Sequence, residues 1–391
     1  MTEVEASLIL AELRGQSIVL PDLNVVFNGW PRHVNVHLDR LRRDVDRWLD
    51  SAMGHNPRLE ALKAADFAHF GATWWPHASY DRLKVVTFLA VWLFAWDDEI
   101  DMDDGCLWHD SDLSQPYRDE TRLHVLECLG LTDDLNRFPV RSVNPTILAF
   151  EGIGNAIRSV YTYEQRRRFM KHMEDFLEMS RREQALRLRG TLPTVEEFWS
   201  YRLGSSAVHI TLAMNEFACN NNSLPASVMA QEHMTLLWEY TNIIVSVTND
   251  ILSLKKEVTR GSIGSMIPLE YAQSRNAQSA VDKTTLLLAN AIDAFKQTAE
   301  KLLHRSPEIT SCEQTRALGD FVKGCQFYCT GNLAWSLATR RYGIYEHDLA
   351  KGVSRGVTNS LSSLSSETFQ SIYGYIWKQG AAMPGGRQMD A

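Results

Sequence analysis

At 391 residues, with 45% hydrophobic and 23% charged side chains, the chain has ordinary globular composition and ample length for a large buried core, which excludes disorder over most of its span. A formal charge of −8 excludes a sequence-independent polyanion binder, so no nucleic-acid partner is expected, although a local basic pocket can still hold a small anion. Length alone points to two or three domains. No long Pro/Gly/Ser linker interrupts the chain before residue 353, however, and one large domain is expected.

Residues 1–20 read as an N-terminal segment. It carries Glu3, Glu5 and Glu12 and lacks the basic start, apolar run and small-residue cleavage site of a signal peptide, so a cytoplasmic protein is expected. The main domain is expected over residues 21–352. Its first strong helical periodicity, residues 83–96, contains an apolar run at 85–96. A membrane span needs roughly twenty apolar residues, so this run predicts a core helix and no membrane span. Helical periodicity recurs at residues 163–188, 236–254, 284–303 and 317–339, and strand-like alternation is nearly absent, which predicts an all-α fold. Pro193 followed by Thr194-Val195-Glu196-Glu197 reads as a capping box and predicts a helix from Thr194 through Tyr201 and Arg202, with Gly204 as the candidate break. Gly261 and Gly264 predict a loop after Glu257. Residues 353–391 form a C-terminal segment, Ser-rich at 354–366, with a final helix or tail. The six cysteines, Cys106, Cys128, Cys219, Cys312, Cys325 and Cys329, lack CxxC pairs and predict reduced thiols rather than a zinc site or disulfide framework.

The first chemistry-bearing pattern closes the apolar run. Asp97-Asp98-Glu99-Ile100-Asp101 sets Asp97 and Asp101 on one helical face, with Asp98 beside them. Like charges this close repel, and a helix C-terminus disfavours anions further, so the cluster asks for a compensating cation. Oxygen-only ligands suit Mg²⁺ held jointly with phosphate oxygens. A solvated acidic helix end continuing into Asp103 and Asp104 is the other reading.

The second pattern is Asn249-Asp250-Ile251-Leu252-Ser253-Leu254-Lys255-Lys256-Glu257. It stacks an amide oxygen, a hydroxyl and a carboxylate at i, i+4 and i+8 on one helix face, all hard oxygen ligands. Asn and Ser are neutral to unfavourable inside helices, so propensity does not account for them. An ordinary amphipathic helix with a polar face is the alternative.

Together these residues resemble the class I terpene cyclases, most closely the fungal and bacterial sesquiterpene cyclases. Asp97 to Asp101 resembles their aspartate-rich motif. Asn249, Asp250, Ser253 and Glu257 resemble their N-D-x-x-S-x-x-x-E motif, and Asn249 follows Asp97 by 152 residues, a spacing that also fits. The resemblance implies a single-domain helical bundle around a central cavity. In it one acid of the first motif, Asp97 first and Asp101 second, joins Asn249, Ser253 and Glu257 to hold three Mg²⁺ ions around a prenyl diphosphate. Arg341-Tyr342 resembles the family's Arg-Tyr dyad, and Arg202 its diphosphate-sensing arginine, with Ser205 and Ser206 at the positions that couple binding to ionisation. Lys256 supplies a further charge to the diphosphate. A carbocation needs a dry cavity walled by aromatic faces. Phe70, Trp74, Trp75, Trp92, Phe94, Trp96 and Trp335 are available, with Phe94 and Trp335 the leading wall residues.

The implied reaction is ionisation of farnesyl diphosphate and its conversion to a cyclic sesquiterpene hydrocarbon or alcohol plus diphosphate. C10 or C20 substrates, a chain-elongating prenyltransferase and a non-enzymatic helical binding protein are the alternatives. Either a monomer or a homodimer is compatible with the sequence.

Overall fold

A computed structural model of the chain describes residues 3–54, 56–101, 107–132, 142–219, 224–304, 306 and 308–350. The C-terminal segment 353–391 lies outside the described residues, as do Asp103, Asp104 and Cys106.

The all-α expectation holds. The chain opens with α1 (Glu3–Arg14), α2 (Leu23–Val26), α3 (Leu38–Met53), α4 (Leu59–Ala64) and α5 (Phe67–Trp74). The acid-bearing α6 (Tyr80–Asp101) follows, then α7 (Ser111–Leu129), α8 (Pro145–Leu148), α9 (Glu151–Val160) and the long α10 (Tyr163–Leu188). The second half comprises α11 (Val195–Ser205), α12 (Val208–Leu212), α13 (Asn215–Ala218), α14 (Ala226–Met229), α15 (Glu232–Arg260), α16 (Met266–Ser274), α17 (Ala277–His304) and α18 (Cys312–Ser336). Among the described residues, strand pairing is confined to two short parallel pieces, β1 (Leu20–Pro21) and β2 (Leu349–Ala350).

Local chemistry sets the boundaries that matter. Thr162 with Gln165 and Thr194 with Glu197 form reciprocal capping boxes at the starts of α10 and α11, satisfying backbone donors that would otherwise be orphaned. At the other end of α15, Gly261 closes the helix with φ of +81°, a left-handed turn that costs glycine nothing. Along α6 the apolar run is buried on nearly every face, including Leu83, Val86, Leu89, Trp92 and Trp96, so its C-terminal acids are carried into the interior.

Helix α15 packs on α17 and α18, α18 on α5, α5 on α6, and α10 on both α7 and α11. The N-terminal segment is docked on this body: Ile9 and Leu13 of α1 are buried, Arg14 Nε donates to the Val258 carbonyl at 3.1 Å, and the Tyr271 hydroxyl donates to Glu12.

The break after Arg202 lies further on than the sequence suggests. Helix α11 runs through Gly204, and the chain turns at Ala207, whose φ is +58°, before α12 begins. Gly204 serves packing instead: a Cβ there would sit 2.2 Å from the Met179 side chain, so the missing side chain lets α10 and α11 approach closely.

Candidate active site

Helices α6, α10, α11, α12, α15 and α18 converge on a cavity of about 230 Å³. Its polar end is built first by α6. Asp97 and Asp101 both line it. Burial, then the charges of Asp101, Glu183 and Asp98, push the Asp97 carboxyl well above the usual carboxylate range, against the pull of Arg341. Asp98 behaves oppositely. Burial works against its ionisation, yet the Arg341 charge and two hydrogen bonds, at 2.7 and 3.0 Å, hold its carboxyl below the usual range. Asp101 accepts from Arg187 Nη1, while Nη2 of the same arginine donates to the Ile100 carbonyl at 3.0 Å. Arg58 donates to the Asp98 carbonyl. Two guanidinium groups therefore cap the carbonyl end of α6 and offset its dipole where the acids sit.

The second wall is the C-terminal half of α15. Asn249 Nδ2 donates to the Tyr342 hydroxyl at 2.7 Å, and Asn249 Oδ1 accepts from Arg202 at 3.2 Å. Arg202 also donates to Asp250 at 2.7 Å, and the other Asp250 oxygen accepts from the Met266 N–H at 3.0 Å. Even so, burial pushes Asp250 up to about 6. Ser253 is buried behind the rim and donates to Glu257 Oε1, while Glu257 Oε2 is buried without a partner among the described residues. Burial and the nearby Arg341 charge bring the Lys256 ammonium down to about 8; it lies 5.4 Å from the Tyr342 ring centroid.

The apolar end is lined by Phe70, Trp74, Leu93, Phe94, Phe176, Val208 and Val245 among others. Phe94 packs edge-on to Phe70 at 5.8 Å, and the Arg341 guanidinium lies 5.3 Å from its ring centroid. Trp335 is not part of this wall. It is fully buried, donates Nε1 to the Ala65 carbonyl at 2.8 Å, and packs on Phe67, Phe70, Phe94 and Tyr342, a layer behind the lining residues. Helix periodicity places Trp335 near the site without saying which side of Phe94 it occupies. Trp75, Trp92 and Trp96 are core as well.

Of the residues singled out in the sequence, Asp97, Asp101, Arg202, Ser205, Ser206, Asn249, Lys256, Glu257, Arg341, Tyr342 and Phe94 come together around one cavity, while Ser253 and Trp335 stand directly behind it. Ser206 also donates its hydroxyl to Asn242 at 2.8 Å, tying the α11–α12 break to α15.

Six acidic residues face the cavity, Asp97, Asp98, Asp101, Glu183, Asp250 and Glu257, against four basic ones, Arg202, Lys256, Arg260 and Arg341. Among the described residues no three of His, Cys, Asp and Glu converge tightly enough to hold a metal alone. The oxygen donors are instead split between α6 and α15 and include an amide and a hydroxyl. An excess of carboxylate, an Asp97 carboxyl crowded by other acids and an orphaned Glu257 oxygen fit a hard divalent cation held jointly with a ligand's own oxygens.

The family model for "Terpene synthase family 2, C-terminal metal binding" matches residues 89–294, which span both walls. A sesquiterpene cyclase from Aspergillus oryzae, hepA, is 34% identical over 343 residues, covering 85% of this chain and 91% of the relative. This chain belongs to the class I terpene synthase family. The terpene cyclase braA of Annulohypoxylon truncatum is 26% identical over 86% of this chain and 89% of its own. Among solved structures, α-eudesmol synthase superposes with a TM-score of 0.69 at 20% identity, covering 79% of this chain and 97% of that one, a likeness of fold. Membership makes the chain a terpene synthase with a metal-binding domain and sets aside the non-enzymatic reading. No helix among the described residues is long and apolar enough to cross a membrane.

Sequence reasoning placed Asp98 in the acidic cluster of this terpene synthase site without its role as the buried anchor of Arg341, and it missed Glu183 and Arg187, which α10 contributes. Burial and the Asp101 charge push Glu183 up to about 7 against the pull of Arg202, the Ser205 hydroxyl and Arg187. Glu183 and Arg187 stand at i and i+4, the spacing of countless solvated helix pairs, and only their neighbours in space distinguish them.

Proposed function

We propose that this terpene synthase is a Mg²⁺-dependent cyclase that ionises farnesyl diphosphate and releases a cyclic sesquiterpene hydrocarbon or alcohol with diphosphate. The observation that carries this reading is the division of one cavity into a charged end, with carboxylate, amide and guanidinium groups, and an aromatic end built from Phe70, Trp74, Phe94 and Phe176. The relatives named as sesquiterpene cyclases support the C15 substrate.

Asp97 on α6 and Asn249, Ser253 and Glu257 on α15 are the residues that would hold the metal, three ions being expected with diphosphate. Bound Mg²⁺ supplies the positive charge that lets the allylic C–O bond break. Arg202, Lys256, Arg341 and Tyr342 bind the phosphate oxygens, the arginines offering planar paired donors of which Nε of both Arg202 and Arg341 is without a partner among the described residues. Ser205 and Ser206, beside the break at Ala207, transmit the engagement of Arg202 to the cavity wall. Phe94 and its aromatic neighbours exclude water and present ring faces to the carbocation.

The test is gas chromatography with mass spectrometry on purified protein with geranyl, farnesyl and geranylgeranyl diphosphate, each with Mg²⁺ and with a chelator. A cyclic C15 product from farnesyl diphosphate, lost on chelation, is expected. Longer prenyl diphosphates formed only with added isopentenyl diphosphate would replace the reading with chain elongation, and C10 or C20 cyclic products would replace its substrate.

A further inference from the structure

Leu107 and Trp108, which precede α7, are both gripped by α10. Gln184 donates Nε2 to the Leu107 carbonyl at 2.6 Å. Gln184 is itself immobilised: it is 1% exposed, and its Oε1 accepts from Ser114 at 2.7 Å and from Arg118 at 2.8 Å. One turn on, the Arg187 guanidinium lies 3.8 Å from the centroid of the Trp108 ring while bound to Asp101 and to the Ile100 carbonyl. Trp108 lines the same cavity as Asp101. Its backbone and its ring are therefore fixed separately, from neighbouring residues of one rigid helix. A planar guanidinium held by two acceptors makes a flat, pre-oriented surface for an indole.

We infer that Arg187 is a positioning residue that seats Trp108 as a water-excluding wall at the charged end of the cavity, and that this seat governs how much of the carbocation reaches cyclisation. The inference rests on the cyclase reading above. Where the wall is lost, water adds its oxygen to the allylic cation and releases one proton, giving an acyclic alcohol in place of a ring. The same contacts commit Asp101 to Arg187, which leaves Asp97 as the acid of α6 facing the metal.

The experiment compares the ratio of acyclic alcohol to cyclic product, a quantity independent of how much enzyme folds. Trp108→Ala is expected to raise the ratio about ten-fold, equivalent to 1.4 kcal/mol between competing fates of one intermediate, while Trp108→Phe, which keeps a flat ring, stays near the parent. Arg187→Ala should match Trp108→Ala, the double variant should add nothing, and Arg187→Lys should fall between. A parent ratio in Trp108→Ala, or independent multiplication of the two effects, overturns the inference. A second readout needs no substrate: acrylamide quenching of the Trp108 fluorescence, isolated by subtracting Trp108→Phe, should increase in Arg187→Ala or Arg187→Lys. Unchanged quenching overturns the seat itself, whereas a parent that makes no cyclic product from any prenyl diphosphate overturns the cyclase reading and leaves the seat to be judged by quenching.

Discussion

The two polar walls of the cavity handle buried charge in opposite ways. On α15, Asp250 is held by the Arg202 guanidinium and the Met266 N–H, and Asn249 bridges Arg202 to Tyr342, so most donors and acceptors find partners inside the protein. On α6, Asp98 is matched by Arg341, whereas Asp97 faces Asp101 and Glu183 and, among the described residues, forms no ion pair of its own. The difference teaches how each wall meets a ligand: the α6 wall gathers carboxylates around Asp97, whereas the α15 wall is a hydrogen-bonded network, open at Glu257 Oε2, that must exchange partners when a ligand enters.

The largest expected effect would break the comparison at its functional end. Asp97→Ala and Asn249→Ala should each lower Mg²⁺-dependent kcat/KM by at least about 10²-fold, the scale set by removing one group that stabilises developing charge. Near-parental turnover of farnesyl diphosphate in both variants would sink the assignment of either wall to metal.

A sharper test uses neighbours in the chain. Asp98→Asn leaves the buried Arg341 charge without its carboxylate and should cost about 3–5 kcal/mol in urea unfolding. Asp97→Asn should stabilise the metal-free protein, because it removes an uncompensated buried carboxylate. Equal destabilisation by both would show that Asp97 is as well paired as Asp98.

The smallest effect concerns pH. A carboxyl that binds its proton more tightly when folded contributes stability that is complete below its unfolded pKa and is lost as pH rises through its folded pKa. For Glu183 that window runs from the ordinary carboxylate range, about 4, up to about 7. His172 and His209, held neutral by burial, push the whole protein the other way, so the comparison must be between variants. In chelator, the melting temperature of Glu183→Gln minus that of the parent should be near zero at pH 5 and grow to a few degrees by pH 8, since the variant never carries the buried charge. A difference that stays flat across this range would mean that Arg202 and Arg187 fully compensate Glu183.

Much of this site was legible in the chain because it lies on long helices. Asp97 with Asp101, and Asn249 with Ser253 and Glu257, are spaced at multiples of four, and a helix converts that spacing into one face whatever surrounds it. The capping box at Thr194 likewise announces where α11 begins and so fixes Arg202 about two turns in. The break beyond it was less legible, since Gly204 answers to Met179 on another helix and the turn falls on Ala207, a residue with no sequence signature for a left-handed conformation.

The sequence by itself determined the all-helical architecture and the two oxygen-rich faces, because each depends on contacts within a few residues along the chain, while Arg202, Lys256 and Arg341 were picked out by resemblance to a family. Tertiary structure alone decided which acid pairs with which base, that Trp335 stands behind Phe94, and that α10 brings Glu183 to the cavity and Arg187 to Asp101 and Trp108. Those outcomes depend on the rotation and approach of one helix against another. They are set by packing among residues far apart in the chain, which no local pattern encodes.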